Sequence, residues 1–498
     1  MVRTRIWRRN AFFLSLALLA CVLGICLGLR NSREVYTHAQ AVETLPALGK
    51  QLDRATAELL EFAGEPVALD TETGTVFVSA DPALYPDAEA LARGFRIPGE
   101  DRSLYLTGWS GELWKDVREN RRLRLVMADG DRNWTAFQVA VTPLPVMDLH
   151  GRFLHYNEER ESTYQGHLRL VTPDGREEHS DVCWHVRGKT SAREPKKPWK
   201  LELQTGSGEN NPKNLLDLGE ESDWILNPMN LDDTKLREKL FLNLWNEMAQ
   251  DSPWNTGASQ GEYTEVLLNG RYMGLYLLQR RIDPDFLGLS DRDILLKGSR
   301  LDTVTCPEEA YIIESSPLSP EDTWALMVPV WSGQDFSSVD QRNLVDLNLF
   351  IQFLAGWDNT GLKNVYYALL EEPDGYRVVL VPWDTDLSFG LDWEDGVVYA
   401  PEDLISGDFL RMEYEPMLAQ FPELEAEMAA RWQELRQNVL SEQRIFSEIH
   451  SLLHTTAASG AAARDRQVWG TKYGGVDTPE ALEDFITRRL QYLDTLYS

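Results

Sequence analysis

The dipeptide Asn269-Gly270 lies between two apolar runs, residues 262–268 and 272–278. A two-residue loop of this kind needs positive φ at both positions, which Asn and Gly tolerate best, so its flanks read as paired antiparallel strands. A second pair of runs, 364–370 and 378–382, turns at Asp374-Gly375 and carries the same signal. Around these hairpins the apolar period changes. Leu236, Leu240, Leu244 and Met248 recur every four residues within 233–248, and 345–357 reads as another helix. Strands are expected at 167–171, 182–186 and 199–203. Local hairpins interleaved with helices define an α+β class for residues 144–400. Residues 401–498 are mostly helical by pattern, notably 418–439 and 479–496.

What precedes this section differs in character. Residues 65–143 alternate short apolar runs with turn residues, the pattern of a small β-rich accessory module. Residues 34–64 are helix-compatible, with Leu45, Leu48, Leu52, Leu59, Leu60 and Phe62 as a stripe, and read as a helical stalk or a packed helix. The first 33 residues carry Arg3, Arg5, Arg8, Arg9, Arg30 and Arg33 and no acid, and residues 11–29 are an uncharged run of nineteen. At about 1.5 Å per residue such a run just spans a hydrocarbon core of about 30 Å. The excess of positive charge before it places the N-terminus in the cytoplasm. The expectation is a single-pass membrane anchor with residues 34–498 extracytoplasmic. A cleaved signal peptide and a buried helix are the alternatives. Cys183 and Cys306, the two cysteines outside this run, form either one disulfide or a pair of free thiols.

Composition sets limits on function. The 498 residues exceed what one hydrophobic core usually serves, about 250–300 residues. With 43% hydrophobic residues and 16 Trp, the chain is not globally disordered. Lys and Arg number 49 against 79 Asp and Glu, a net charge of −30. That excludes nucleic acid as a natural partner, because phosphate contacts need clustered cations. There is no Cys-x-x-Cys pair, so cysteine-held zinc is also excluded.

Chemistry concentrates beside the second hairpin. One cluster, Trp357-Asp358-Asn359-Thr360-Gly361-Leu362-Lys363-Asn364, follows an apolar helix. The other, Pro382-Trp383-Asp384-Thr385-Asp386, ends a strand. Carboxylates and an Asn so placed can offer hard oxygen ligands to Mg²⁺ or Mn²⁺, and Asp at turns otherwise serves as a solvated or capping residue. A third segment, residues 187–200, is unexpectedly basic: Arg187, Lys189, Arg193, Lys196, Lys197 and Lys200. Its Gly188, Thr190 and Ser191 can present backbone N–H groups and hydroxyls to a phosphate; a solvated basic loop is the plainer reading. Neither a Walker A pattern nor a G-x-G-x-x-G loop occurs.

Taken in order, R-G-K-T-S, P-K-K-P-W-K-L-E-L, W-I-L-N, L-R-E-K-L, P-W-N-T, V-L-L-N-G-R-Y-M-G-L-Y-L-L, W-D-N with K-N-V-Y-Y, and P-W-D-T-D-L-S-F-G resemble the CotH family of spore-coat-type atypical protein kinases. The resemblance covers residues 144–400 with a helical continuation. It implies a reduced protein-kinase-like fold that binds ATP and Mg²⁺ or Mn²⁺ and phosphorylates Ser/Thr of exported proteins. Carried over by motif, Asp358 would orient the acceptor hydroxyl and Lys200 would contact the nucleotide phosphates, with Arg187 and Ser191 beside it. Asp384, Asn364 and Asp386 would hold metal, and Trp383 would border the adenine or serve as a structural aromatic. Arg237 and Glu238 are candidates for a helix-to-strand ion pair or a surface position. The chain departs from the family's pattern at Lys189, Glu194 and Gln279-Arg280-Arg281, which puts nucleotide choice in doubt. An envelope scaffold on a pseudokinase fold and another nucleotide-dependent transferase, adenylylating or glutamylating, remain as alternatives. The acidity of the chain favours a basic, Ser/Thr-rich acceptor.

Overall fold

The computed structural model describes residues 34–37, 59–98, 103–128, 134–157, 161–188, 190–298, 306–359, 364–392, 396–397, 400–402 and 420–498. The apolar run at 11–29 and the stripe residues Leu45, Leu48 and Leu52 lie outside them. Among the described residues no helix is long and apolar enough to cross a membrane.

The N-terminal region is β-rich as expected, but its leading segment is not a helix where it is described. Strands β1 (Glu34–Thr37), β2 (Ala68–Asp70), β3 (Thr75–Ser79), β4 (Ser103–Trp109), β5 (Leu123–Ala128) and β6 (Trp134–Thr142) form one sheet in the order β1-β4-β5-β6-β3-β2. β1 pairs parallel with β4, and Leu60 and Phe62 are buried in the module's core. Glu-Val-Tyr-Thr is rich in β-branched and aromatic residues, which suit an edge position better than a helical turn. Helices α1 (Ala88–Gly94) and α2 (Leu113–Arg118) pack their apolar residues into the same core. The module rests on the Asn-Gly hairpin: Phe77 stacks on Tyr272 at 4.5 Å, and the Thr71 N–H donates to the Gly270 carbonyl at 2.8 Å.

Strands β7 (Val146–Asn157), β8 (Glu161–Val171), β9 (Glu177–Val186), β10 (Trp199–Gln204), β11 (Asp223–Asn227), β12 (Gly261–Leu268) and β13 (Arg271–Arg280) close into a barrel ordered β7-β8-β9-β10-β11-β13-β12. Alternate residues of β10, Trp199, Leu201 and Leu203, fill its interior, and Lys200 and Glu202 face outward. The β12–β13 ladder slips at Val266, opposite Gly274. Gly274 has φ +100°, and a Cβ there would lie 2.2 Å from Asp465 Oδ1, so only glycine admits that carboxylate.

Helix α3 (Arg237–Asp251) starts later than the apolar period predicts. The Asp232 carboxylate accepts from the Thr234 and Arg237 N–H groups at 3.0 and 2.8 Å, and Lys235 takes φ +64°, so residues 232–236 form a turn that leads into the helix. A second sheet, β14 (Ile294–Gly298), β15 (Tyr311–Ser315), β16 (Val365–Glu372) and β17 (Gly375–Pro382), is ordered β15-β14-β16-β17. Helix α4 (Pro320–Trp331) and helix α5 (Gln341–Leu354) precede the hairpin. α5 stops before residue 357 because Ala355 turns left-handed, at φ +50°. Helices α6 (Leu424–Gln437), α7 (Glu442–Ala458), α8 (Ala461–Trp469) and α9 (Pro479–Leu496) complete the chain.

The largest core joins α3, α5, the second sheet and the C-terminal helices; each fully buried Leu or Phe in it contributes about 1.5–3 kcal/mol. A smaller cluster of Ile225, Ile282, Leu295, Tyr366, Val381 and Trp383 joins the outer face of the barrel to the second sheet. The candidate site lies along that seam. Cys183 and Cys306 are free thiols.

Candidate active site

Past β17 the chain runs through Trp383-Asp384-Thr385-Asp386. Asp384 and Asn364 both hold left-handed backbone, φ +56° and +55°. Such conformations cost non-glycine residues about 1–2 kcal/mol each and are best tolerated by Asn and Asp. Hydrogen bonds hold the two acidic clusters together. Asn359 Nδ2 donates to the carbonyls of Trp383 and Asp384 at 2.6 and 3.2 Å, and the Trp383 N–H donates to the Asn364 carbonyl at 3.0 Å. Asn364 Nδ2 donates to Asp358 Oδ2 at 3.1 Å. The hairpin register, Val365 opposite Pro382, brings these ends side by side.

From the other side α3 contributes Glu238. Its Oε2 accepts from the Thr385 N–H at 3.0 Å and the Thr385 hydroxyl at 3.3 Å, and its Oε1 accepts from Gln279 Nε2 at 2.9 Å. Glu238 thus makes a helix-to-strand contact, but through neutral donors rather than an ion pair. Arg237 turns the opposite way, into a buried triad with Asp232 at 2.7 Å and Asp477 at 2.8 Å. Both residues are buried, so neither takes the surface position.

The acids crowd one another. Burial and then Asp384 push Glu238 up to about 7. Burial, followed by Asp384, Glu238, Asp358 and Asp232, holds Asp386 well above the ordinary carboxylate range. Neither Asp384 nor Asp386 has an ion-pair partner among the described residues. This donor chemistry, crowded hard oxygens without an ion pair, fits a divalent cation such as Mg²⁺. Among the described residues no three His, Cys, Asp or Glu side chains are grouped so as to enclose an ion. Mg²⁺ ordinarily takes one or two carboxylates and completes its shell with water and substrate phosphate, which Asp384, Asp386 and Asn364 can satisfy.

Two cations approach from the barrel side and the sheet side. Arg187, just after β9, places its guanidinium carbon 5.8 Å from the Trp383 ring centre. Lys297, on β14, has its Nζ 5.7 Å from the same ring and 5.2 Å from that of Tyr366. Trp383 is 3% exposed; it serves as a packed floor beneath cations and has no open face on which an adenine could stack. Gly188 has φ +84°, and a Cβ there would meet Ser191 Oγ at 2.3 Å, so the hydroxyl folds back over the turn that starts at Arg187. The Lys200 amine is taken up outside the acidic loop: it pairs with Glu202 and Asp223, each at 2.8 Å. Asp223 is shared with Arg281, which also bonds Glu314. Lys196 points inward, to Asp465 at 2.6 Å and to the Pro228 carbonyl at 3.0 Å, and anchors the basic turn to α8.

Lys297 was not singled out by sequence reasoning. Its signal is a lone cation ending the apolar run Ile294-Leu295-Leu296. The segment Gln279-Arg280-Arg281 is accounted for by contacts with Glu238, with the Leu218 and Glu220 carbonyls, and with Asp223.

An α+β domain whose strand-end acids face a preceding Asp/Asn loop has the organisation of a kinase-like protein. The family model described as CotH kinase protein matches residues 184–309 and 336–493, and the chain belongs to that family. Membership implies ATP and a divalent cation in general terms. The match includes the C-terminal helices, whereas the accessory module and strands β7 and β8 precede it. No curated protein matches the chain.

Proposed function

We propose that this protein is a membrane-anchored, outward-facing CotH-type kinase that transfers the γ-phosphoryl group of ATP to Ser/Thr of exported or cell-envelope proteins. The observation that carries the reading is the acidic loop: the half-buried Asp384 and Asp386 lie beside Glu238 and the Asp358–Asn364 segment, inside the matched span, and neither forms an ion pair among the described residues. Asp384, Asp386 and Asn364 would hold Mg²⁺ or Mn²⁺, which when bound supplies neutralisation of the phosphate charge. Asp358, steadied by the Asn364 amide, orients the acceptor hydroxyl and takes its proton. Glu238 fixes Thr385 and thereby the spacing of the two loop carboxylates.

The anchor is the arginine-flanked run at 11–29. The acceptor is a basic, Ser/Thr-rich polypeptide, drawn to a chain of net charge −30 by steering that salt screens. Raising ionic strength should therefore weaken capture of a basic acceptor peptide, and an unchanged apparent affinity counts against this partner. The activity is tested by incubating the full chain with γ-labelled or α-labelled ATP and Mg²⁺ or Mn²⁺. Transfer of the γ label alone, lost in Asp384→Ala and Asp358→Ala, is the expected result. Transfer of the α label would make the protein an adenylylating enzyme, and absence of nucleotide binding would leave a scaffold. Mass measurement on the acceptor distinguishes glutamylation.

A further inference from the structure

We propose that Lys297 and Arg187, held above Trp383, form the seat for the phosphate groups of the nucleotide, and that Lys297 is the principal phosphate-binding lysine of this chain. The proposal rests on the nucleotide reading above and adds the residues that recognise the polyphosphate.

Among the described residues, Lys200, Arg281, Arg187 and Lys297 lie at the seam between the barrel and the second sheet, and their pairing separates them. Lys200 and Arg281 are neutralised: Asp223 and Glu202 pair with Lys200, and Asp223 and Glu314 pair with Arg281. Arg187 and Lys297 have no ion-pair partner among the described residues, in a chain with 79 acids against 49 Lys and Arg. Two like charges drawn to one indole, 5.8 and 5.7 Å from its centre, repel each other, and the ring's quadrupole offsets only part of that. An arrangement of this kind is completed by an anion that both can share.

Position supports the same conclusion. Trp383 is the residue immediately before Asp384, so the seat adjoins the acids that would hold the metal. Lys297 lies across the ladder from Tyr366, on a strand rather than a loop, and Arg187 leads into the turn in which the Ser191 hydroxyl folds over Gly188. Burial, then Arg187, lowers the Lys297 ammonium to about 8, while Asp384 and Glu314 work the other way; at neutral pH it is mostly charged. Cations on one side and a metal site on the other are what a polyphosphate chain requires.

The test is calorimetry of the full chain with three probes at fixed excess Mg²⁺: ATP, adenosine and inorganic tripolyphosphate. Lys297→Gln and Arg187→Gln should each weaken ATP and tripolyphosphate about 10- to 100-fold, the loss of one charge-assisted contact, and leave adenosine unchanged. Lys297→Arg should recover most of the affinity. Melting of each variant in buffer checks that the seam still folds, and Lys297→Met provides an apolar variant that keeps the stem packed on Trp383. ATP and tripolyphosphate binding at wild-type strength in the Gln variants, or its loss in Lys200→Gln alone, would overturn the seat and leave the kinase reading standing. If the wild type binds tripolyphosphate through these residues but neither ATP nor adenosine, the seat stands and the nucleotide reading falls. If it binds none of the three, both fall.

Discussion

Two acidic groups meet at the first turn of α3, one buried and one half-buried, and the chain treats them in opposite ways. Asp232 and Asp477 share the Arg237 guanidinium, and all three side chains are buried. One residue on, Glu238 reaches Asp384-Thr385-Asp386, where acids face acids and, among the described residues, no arginine pairs with them. The first group is closed by the protein itself and serves the fold, tying α3 to the segment before α9. The second contains carboxylates, Asp384 and Asp386, that form no ion pair among the described residues. In the proposed function, the repulsion among the second group's carboxylates is what a bound cation would relieve.

The largest effect is expected from Arg237→Met, which removes the guanidinium that Asp232 and Asp477 share; unfolding by denaturant should show a loss of about 3–5 kcal/mol. A loss under about 1 kcal/mol would mean the triad is no more structural than the loop. Asp384→Asn should do the reverse. Label transfer from γ-labelled ATP should fall about 10²- to 10³-fold, the scale for removing one charge-stabilising group, while stability is kept or improved because a repulsion is gone. Third, Mg²⁺ at about 100 times its dissociation constant should stabilise the wild type by about 2.7 kcal/mol. It should leave the melting of Asp384→Asn and Asp386→Asn nearly unmoved.

The smallest effect is the pH dependence, and its sign differs between the two groups. Glu238 binds its proton more tightly folded than unfolded. Its contribution is present below the ordinary value of 4.5 and is lost as pH rises toward about 7. Burial opposes the charge on Asp232, but Arg237, the Thr234 hydroxyl and Lys235 outweigh it and hold that carboxyl below 3.8. Its contribution is present above the ordinary value and is lost as pH falls through the lowered one. Metal-free Glu238→Gln should therefore show a flatter stability profile between pH 4.5 and 7 and an unchanged acid limb. Glu221, raised to about 7 by burial and then Asp283, shares the upper limb, so the difference between variant and wild type is the quantity to read.

Much of the fold was legible because its signals are local. The Asn269-Gly270 hairpin, the Asp374-Gly375 hairpin and α9 lie where turn chemistry and apolar period put them. Helix ends were less legible. α3 begins late because Asp232, which reaches across to Arg237, builds the turn before it, and α5 ends early because Ala355 turns left-handed. β1 was read as helix because a four-residue edge strand depends on β4, far along the chain.

The candidate site divides along the same line. Asp358, Asn364, Asp384 and Asp386 stand out in the sequence by spacing beside a hairpin, and family resemblance supplied their roles. Lys200 also stands out, yet its charge is taken up by Glu202 and Asp223. Lys297 does not stand out and still faces Trp383.

By itself the sequence determined the α+β class, the hairpin that joins the two acidic segments, and the net acidity of the chain. These follow from backbone geometry and net charge, which act over a few residues or over the whole chain. Only the tertiary structure decided which charges are neutralised. Ion pairing depends on distances of a few ångströms between residues far apart in sequence, Arg237 with Asp477 and Lys196 with Asp465. Among the described residues, Asp384 and Asp386 on one side and Arg187 and Lys297 on the other form no ion pair, and the proposed site lies between them.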